Sequence, residues 1–69
     1  MKPLDAKEMI ALLESKGWYV VRQRGSHKIL RNIYDPTKYT IVPFHKARTL
    51  PAGTQRAIMR DAGIKPNEL

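Results

Sequence analysis

The chain has 69 residues, with 13 Lys and Arg against six Asp and Glu for a net charge of +7. It reads as one small basic domain, residues 1–69, whose partner is anionic: nucleic acid, a membrane surface or an acidic protein. It has no cysteine, which excludes disulfides and thiolate metal sites. No stretch approaches the ~20 apolar residues of a membrane span, and Asp5, Lys7, Glu8, Glu14 and Lys16 break up any signal-peptide core, so the expectation is a cytoplasmic protein without a membrane partner.

A helix is predicted from Asp5 to Lys16. Asp5 caps it, Glu8 three residues on completes a capping box, and Leu4 with Met9 has the spacing of a hydrophobic staple. Ala6, Met9, Ile10 and Leu13 recur at helical spacing on one face, and Gly17 ends the helix. From Trp18 the composition turns β-branched and aromatic in three runs, "WYVVRQR", "HKILRNIY" and "YTIVPF". Gly25-Ser26 separates the first pair and Asp35-Pro36-Thr37-Lys38 the second, which predicts two hairpins and a three-stranded antiparallel meander. The alternation is imperfect and does not say which face packs on the helices. Trp18 and Phe44 are expected in the core, and packing is the preferred role for Tyr19, Tyr34 and Tyr39, with base stacking as the alternative.

After the connector "HKART", Pro51 suits a first helical turn, Thr54, Ala57, Ile58 and Ala62 form a stripe, and Gly63 ends the second helix. Gly53 weakens this helix near its start. Ile64 is expected to pack, with the tail beyond it frayed. The sum is an α+β domain in the order α-β-β-β-α. A chain this short buries a limited fraction of its surface, which favours homo-oligomerisation or a tight partner.

The six acids, Asp5, Glu8, Glu14, Asp35, Asp61 and Glu68, occupy helix starts, helix surfaces, a turn and the tail. They do not suggest a carboxylate cluster for Mg²⁺, and two histidines without a third ligand do not suggest zinc, so no metal or other cofactor is expected. Ser26 beside His27 does not read as an activated nucleophile, because neighbouring strand residues point to opposite faces. RNA, however, carries its own nucleophile in the 2′-hydroxyl. A protein then needs only positioning, proton transfer and charge stabilisation. His27, among Arg22, Arg24, Lys28 and Arg31, has the parts for this; it also reads as a plain polar residue at the bend of a basic hairpin. His45, Lys46 and Arg48 form a second basic group, either loop residues or a further RNA contact.

Two blocks carry a family resemblance. One is Gly17-Trp18 leading to Arg22-Gln23-x-Gly25-Ser26-His27. The other is Val42-Pro43-x-His45 leading to Leu50-x-x-Gly53-Thr54-x-Arg56-x-Ile58-x-Arg60-x-Ala62-Gly63. In this order and in a chain of this length they closely resemble the HicA-type toxins of bacterial and archaeal toxin–antitoxin systems. The resemblance implies a fold like that of double-stranded-RNA-binding domains and an mRNA interferase in which His27 is catalytic. It also implies a HicB-type antitoxin as partner, binding the toxin and blocking its active site. Many relatives carry a second histidine shortly after the catalytic one, where this chain has "RNIYDP", which implies altered substrate contacts. Gln55 stands where an apolar residue is frequent, which implies a more exposed helix position.

The resulting expectation is a metal-independent endoribonuclease that leaves a 2′,3′-cyclic phosphate and a 5′-hydroxyl. His27 is the general base or acid. Gly25 permits the turn that presents it, Ser26 contacts RNA, and Arg24 and Lys28 hold phosphate and stabilise developing charge, with Arg22, His45, Lys46 and Arg48 as further RNA contacts. A second proton-transfer group is unassigned among water, His45 and a lysine. The alternatives are an inert RNA-binding module of the same fold and an interaction protein that docks an acidic partner.

Overall fold

The structure is a computed structural model that describes residues 1–45 and 48–69. Helix α1 (Ala6–Ser15) is followed by strands β1 (Trp18–Arg24), β2 (His27–Asn32) and β3 (Tyr39–Pro43), helix α2 (Ala52–Ala62) and a closing 3₁₀ turn (Pro66–Glu68). The strands form an antiparallel sheet in the order β1-β2-β3, so the predicted meander and the α-β-β-β-α order both hold.

Helix α1 begins where its caps dictate. The Glu8 amide donates to Asp5 Oδ1 at 2.7 Å and the Asp5 amide to Glu8 Oε1 at 3.0 Å, so two backbone donors that the helix cannot satisfy are paired reciprocally. At the other end Gly17 takes φ +92° and its carbonyl accepts from the Ile33 amide at 2.8 Å. A Cβ here would lie 2.6 Å from Tyr34 Cε2. Both the left-handed backbone and this close approach call for glycine.

Strand β2 ends at Asn32, short of the predicted Tyr34. The Asn32 side-chain oxygen takes the amides of Tyr34 (2.7 Å) and Asp35 (3.1 Å), offering the backbone an alternative to the ladder. Asp35 then folds the connection by accepting from the Thr37 hydroxyl at 2.6 Å and the Thr37 amide at 3.2 Å.

One face of the sheet is covered. Trp18, Leu30, Thr40 and Val42 are buried in it, and Ala6, Met9, Ile10 and Leu13 of α1 and Ile58 and Met59 of α2 complete the core with Leu4, Leu50 and Ile64. Full burial of side chains such as Met9 or Leu13 is worth ~1.5–3 kcal/mol each before entropy is counted. Phe44 packs half-buried against this cluster. No helix among the described residues is long and apolar enough to cross a membrane.

Two further features differ from expectation. The apolar stripe of α2 is rotated, with Gln55, Ile58 and Met59 buried, and Gln55 is 1 % exposed. Its carbonyl oxygen accepts the Leu4 amide at 2.9 Å and its side-chain amide donates to the Lys2 carbonyl at 2.7 Å. A polar residue is tolerated inside because it satisfies the backbone of the N-terminal segment. The tail past Ile64 is folded too: Glu68 accepts from the Lys65 amide and pairs with Lys16 Nζ, both at 2.7 Å.

Replacing Gln55 with leucine keeps the volume but strands the Leu4 amide. A loss of ~1–3 kcal/mol is expected, equivalent to a fall in Tm of roughly 4–8 °C per kcal/mol for a domain this size, read by thermal denaturation. The Lys16 ammonium, and after it the Lys65 amide, holds the Glu68 carboxyl below its ordinary value of 4.5. A depressed carboxyl stabilises the fold above its unfolded pKa and stops doing so as pH falls through the folded one. Acid titration followed by NMR should therefore release the Lys65 amide of the wild type, and Glu68→Gln should abolish that step.

Candidate functional site

Cross-strand register places the polar residues. In β2, Leu30 is fully buried, so its neighbours in the pleat, Ile29 and Arg31, face the uncovered side, as does His27. In β1 strict alternation would put Arg22 and Arg24 on the side of Trp18. The pairing slips between Val20 and Arg22, where Val21 is an extra residue, and beyond it Arg22 pairs with Ile29 and Arg24 with His27. The bulge thus carries both arginines to the open face.

That face consists of three rungs, each crossing the three strands: Tyr19, Arg31 and Tyr39; Arg22, Ile29 and Ile41; Arg24, His27 and Pro43. Residues directly opposite in a ladder lie ~4.5–5.5 Å apart at Cα or Cβ, so Arg24 is the immediate neighbour of an exposed His27. Gly25, at φ +58° with open space around it, makes the turn that brings the two together. The Gln23 side chain donates to the Gly25 carbonyl at 2.9 Å and steadies that turn. The Ser26 carbonyl accepts from the Phe44 amide, which ties the turn to the end of β3.

The predicted site residues therefore separate into two groups. His27, Arg22 and Arg24 share the open face, with Gly25 and Ser26 at its end. Lys28 does not join them. It is inward in register, opposite Val42, and its ammonium stands 4.2 Å from the Phe44 ring centroid. His45 lies with Lys28 and Phe44 in a pocket walled by Asp5, Lys7, Ile10 and Glu14 on the α1 side. Arg48 is exposed and its amide donates to the His45 carbonyl at 3.2 Å. Lys46 lies outside the described residues.

Arg31, Tyr19 and Tyr39 share the open face as its third rung. Packing is the role preferred for the tyrosines from sequence and base stacking the alternative; Tyr19, Tyr34 and Tyr39 are 44 %, 85 % and 56 % exposed. Tyr34 lies beyond the strands, against Gly17. The only sequence signal for the other two was their spacing from Arg22 and from the buried Val42, which an unrecognised bulge obscures. Among the described residues no three His, Asp or Glu side chains gather as a metal site would require.

This arrangement offers an imidazole and an arginine guanidinium side by side on a solvent-facing surface. Imidazole is the side chain that changes charge closest to neutral pH, and guanidinium grips phosphate with two parallel hydrogen bonds. A family model described as the HicA toxin of bacterial toxin–antitoxin systems matches residues 6–64, from the first turn of α1 to the second residue after α2. No curated protein matches the chain.

Proposed function

The chain belongs to the HicA toxin family of bacterial toxin–antitoxin systems, and from that premise we propose that it is an mRNA interferase, a metal-independent endoribonuclease with His27 at its centre. The observation that carries this reading is the pairing of His27 with Arg24 on the uncovered face of the sheet. RNA supplies the nucleophile. His27 takes the proton from a 2′-hydroxyl, or delivers one to the departing 5′-oxygen. The new bond joins the 2′-oxygen to phosphorus and the broken one frees the 5′-oxygen, leaving a 2′,3′-cyclic phosphate and a 5′-hydroxyl.

Arg24 is the group best placed to offset charge that builds on the phosphate, and Arg22, one rung away, to hold a neighbouring phosphate. Lys28 faces the opposite side and is left out of this set. His45, on the α1 side of the same end, is likewise not a direct neighbour of His27 in the ladder, so the second proton is assigned to water. A HicB-type antitoxin is the proposed inhibitor. It would silence the enzyme by covering the open face on which His27 stands.

The test is cleavage of an RNA oligonucleotide in excess EDTA, with the all-deoxy strand as control. The wild type should leave cyclic phosphate ends on RNA and spare the deoxy strand. His27→Ala should slow the reaction by ~10²–10⁴, the usual worth of a general acid or base. Arg24→Ala should cost about 100-fold, whereas Lys28→Ala should stay within a few-fold of the wild type. Binding without cleavage by the wild type would replace this reading with that of an inert RNA-binding module.

A further inference from the structure

The rung farthest from the Gly25-Ser26 turn is not used by the chemistry above. It holds two exposed tyrosines, Tyr19 and Tyr39, one on each side of Arg31. Arg31 is fixed there: its Nη1 donates to the Pro36 carbonyl at 2.9 Å and its guanidinium lies 5.6 Å from the Tyr39 ring centroid. Ordering a long side chain before the ligand arrives removes part of the cost of binding. Between this rung and His27 lies Ile41, 43 % exposed.

Three properties of this face narrow what covers it. Its outward positions include Arg22, Arg24 and Arg31 and no acid, which complements a polyanion. Its exposed surface is also apolar and aromatic, which a duplex has no use for, because a duplex presents sugars and phosphates and hides the faces of its bases. Unpaired bases, by contrast, stack on tyrosine rings and on guanidinium planes. Finally, Arg31 and His27 are four residues apart on one strand, a separation of ~13 Å, short enough for one run of a few nucleotides to touch both.

Resting on the ribonuclease reading, we propose that the outer face of the sheet is a track for single-stranded RNA. Tyr19 and Tyr39 stack on bases beside Arg31, and this docking sets which phosphate arrives at His27. The tyrosines are positioning residues in this scheme, and the substrate class is unpaired RNA in preference to duplex.

The experiment measures binding of the wild-type chain to an unstructured 2′-O-methyl RNA oligonucleotide, which cannot be cleaved, by fluorescence anisotropy. The same strand annealed to its complement is the control. Tyr19→Leu and Tyr39→Leu should each weaken single-strand binding at least about fivefold, the lower end of what one stacked aromatic contributes, and leave duplex binding unchanged. Phenylalanine at either position should restore it. The slope of affinity against salt should persist in the leucine variants, because no phosphate contact is removed, and their melting temperatures should match the wild type.

Single-strand affinity unchanged in the double leucine variant would overturn the proposal, as would equal losses on single strand and duplex. Loss of antitoxin binding with RNA binding intact would overturn it in favour of a protein-docking face. Cleavage by His27 is scored in a separate assay. A wild type that binds through its tyrosines but does not cut refutes the nuclease and keeps the track; one that cuts while the leucine variants bind normally does the reverse.

Discussion

Leu30 and Val42, both without solvent exposure, sit in the covered face of the sheet beneath Met9 and Leu13 of α1, which are equally inaccessible. This packing is the contact on which the other arrangements depend. A chain of this length forms two helices, and both share that one core, so the sheet has one dry side and one wet side. The pleat then forces every residue that alternates with Leu30 and Val42 into water. A sheet buried on both sides would have hidden His27 or required it to be paired.

The wet side acquires its chemistry through a single irregularity. With ideal alternation Arg22 and Arg24 would lie on the side of Trp18, competing for space with the core. The extra residue at Val21 reverses the parity of β1, so that Trp18 stays buried while both arginines reach the face of His27. Bulges also increase local twist, and this one lies in the strand that leads to the turn that presents the histidine. The same parity argument removes Lys28, which spends its charge over the Phe44 ring and leaves the neighbourhood of His27 to arginine.

Stability and site are joined through Gln55, which holds the segment before α1 next to the pocket of Lys28, Phe44 and His45. Its amide replaces the missing ladder partners of Lys2 and Leu4, and the Leu4 carbonyl accepts from the Leu50 amide at 2.8 Å. The segment before α1 is thereby fastened to α2 and to the strand-like pair of Asp5 and Thr49. Helix α1 is thereby anchored on the covered side of the sheet, and the opposite face stays open. The Lys16 to Glu68 pair makes a second, solvent-screened tie between the end of α1 and the tail.

Local rules were legible in the sequence because they act over three or four residues. The capping box at Asp5 and Glu8, the glycines that stop both helices, the Gly25-Ser26 turn and the buried Trp18 all follow from side chains meeting their own backbone or from simple periodicity. So does the element order, while the family to which the chain belongs shows through two motif blocks, Gly17 to His27 and Val42 to Gly63. Sequence alone left undecided which strand residues look outward, since that depends on register between strands and on one bulge whose signal, an imperfect alternation, has many causes. It misjudged Gln55, because whether a polar side chain is buried depends on a backbone partner more than fifty residues away. It set Lys28 beside His27 because the two are adjacent in the chain. Proximity along the chain was visible, while the face each side chain occupies was decided only when the three strands paired and one side of them was covered.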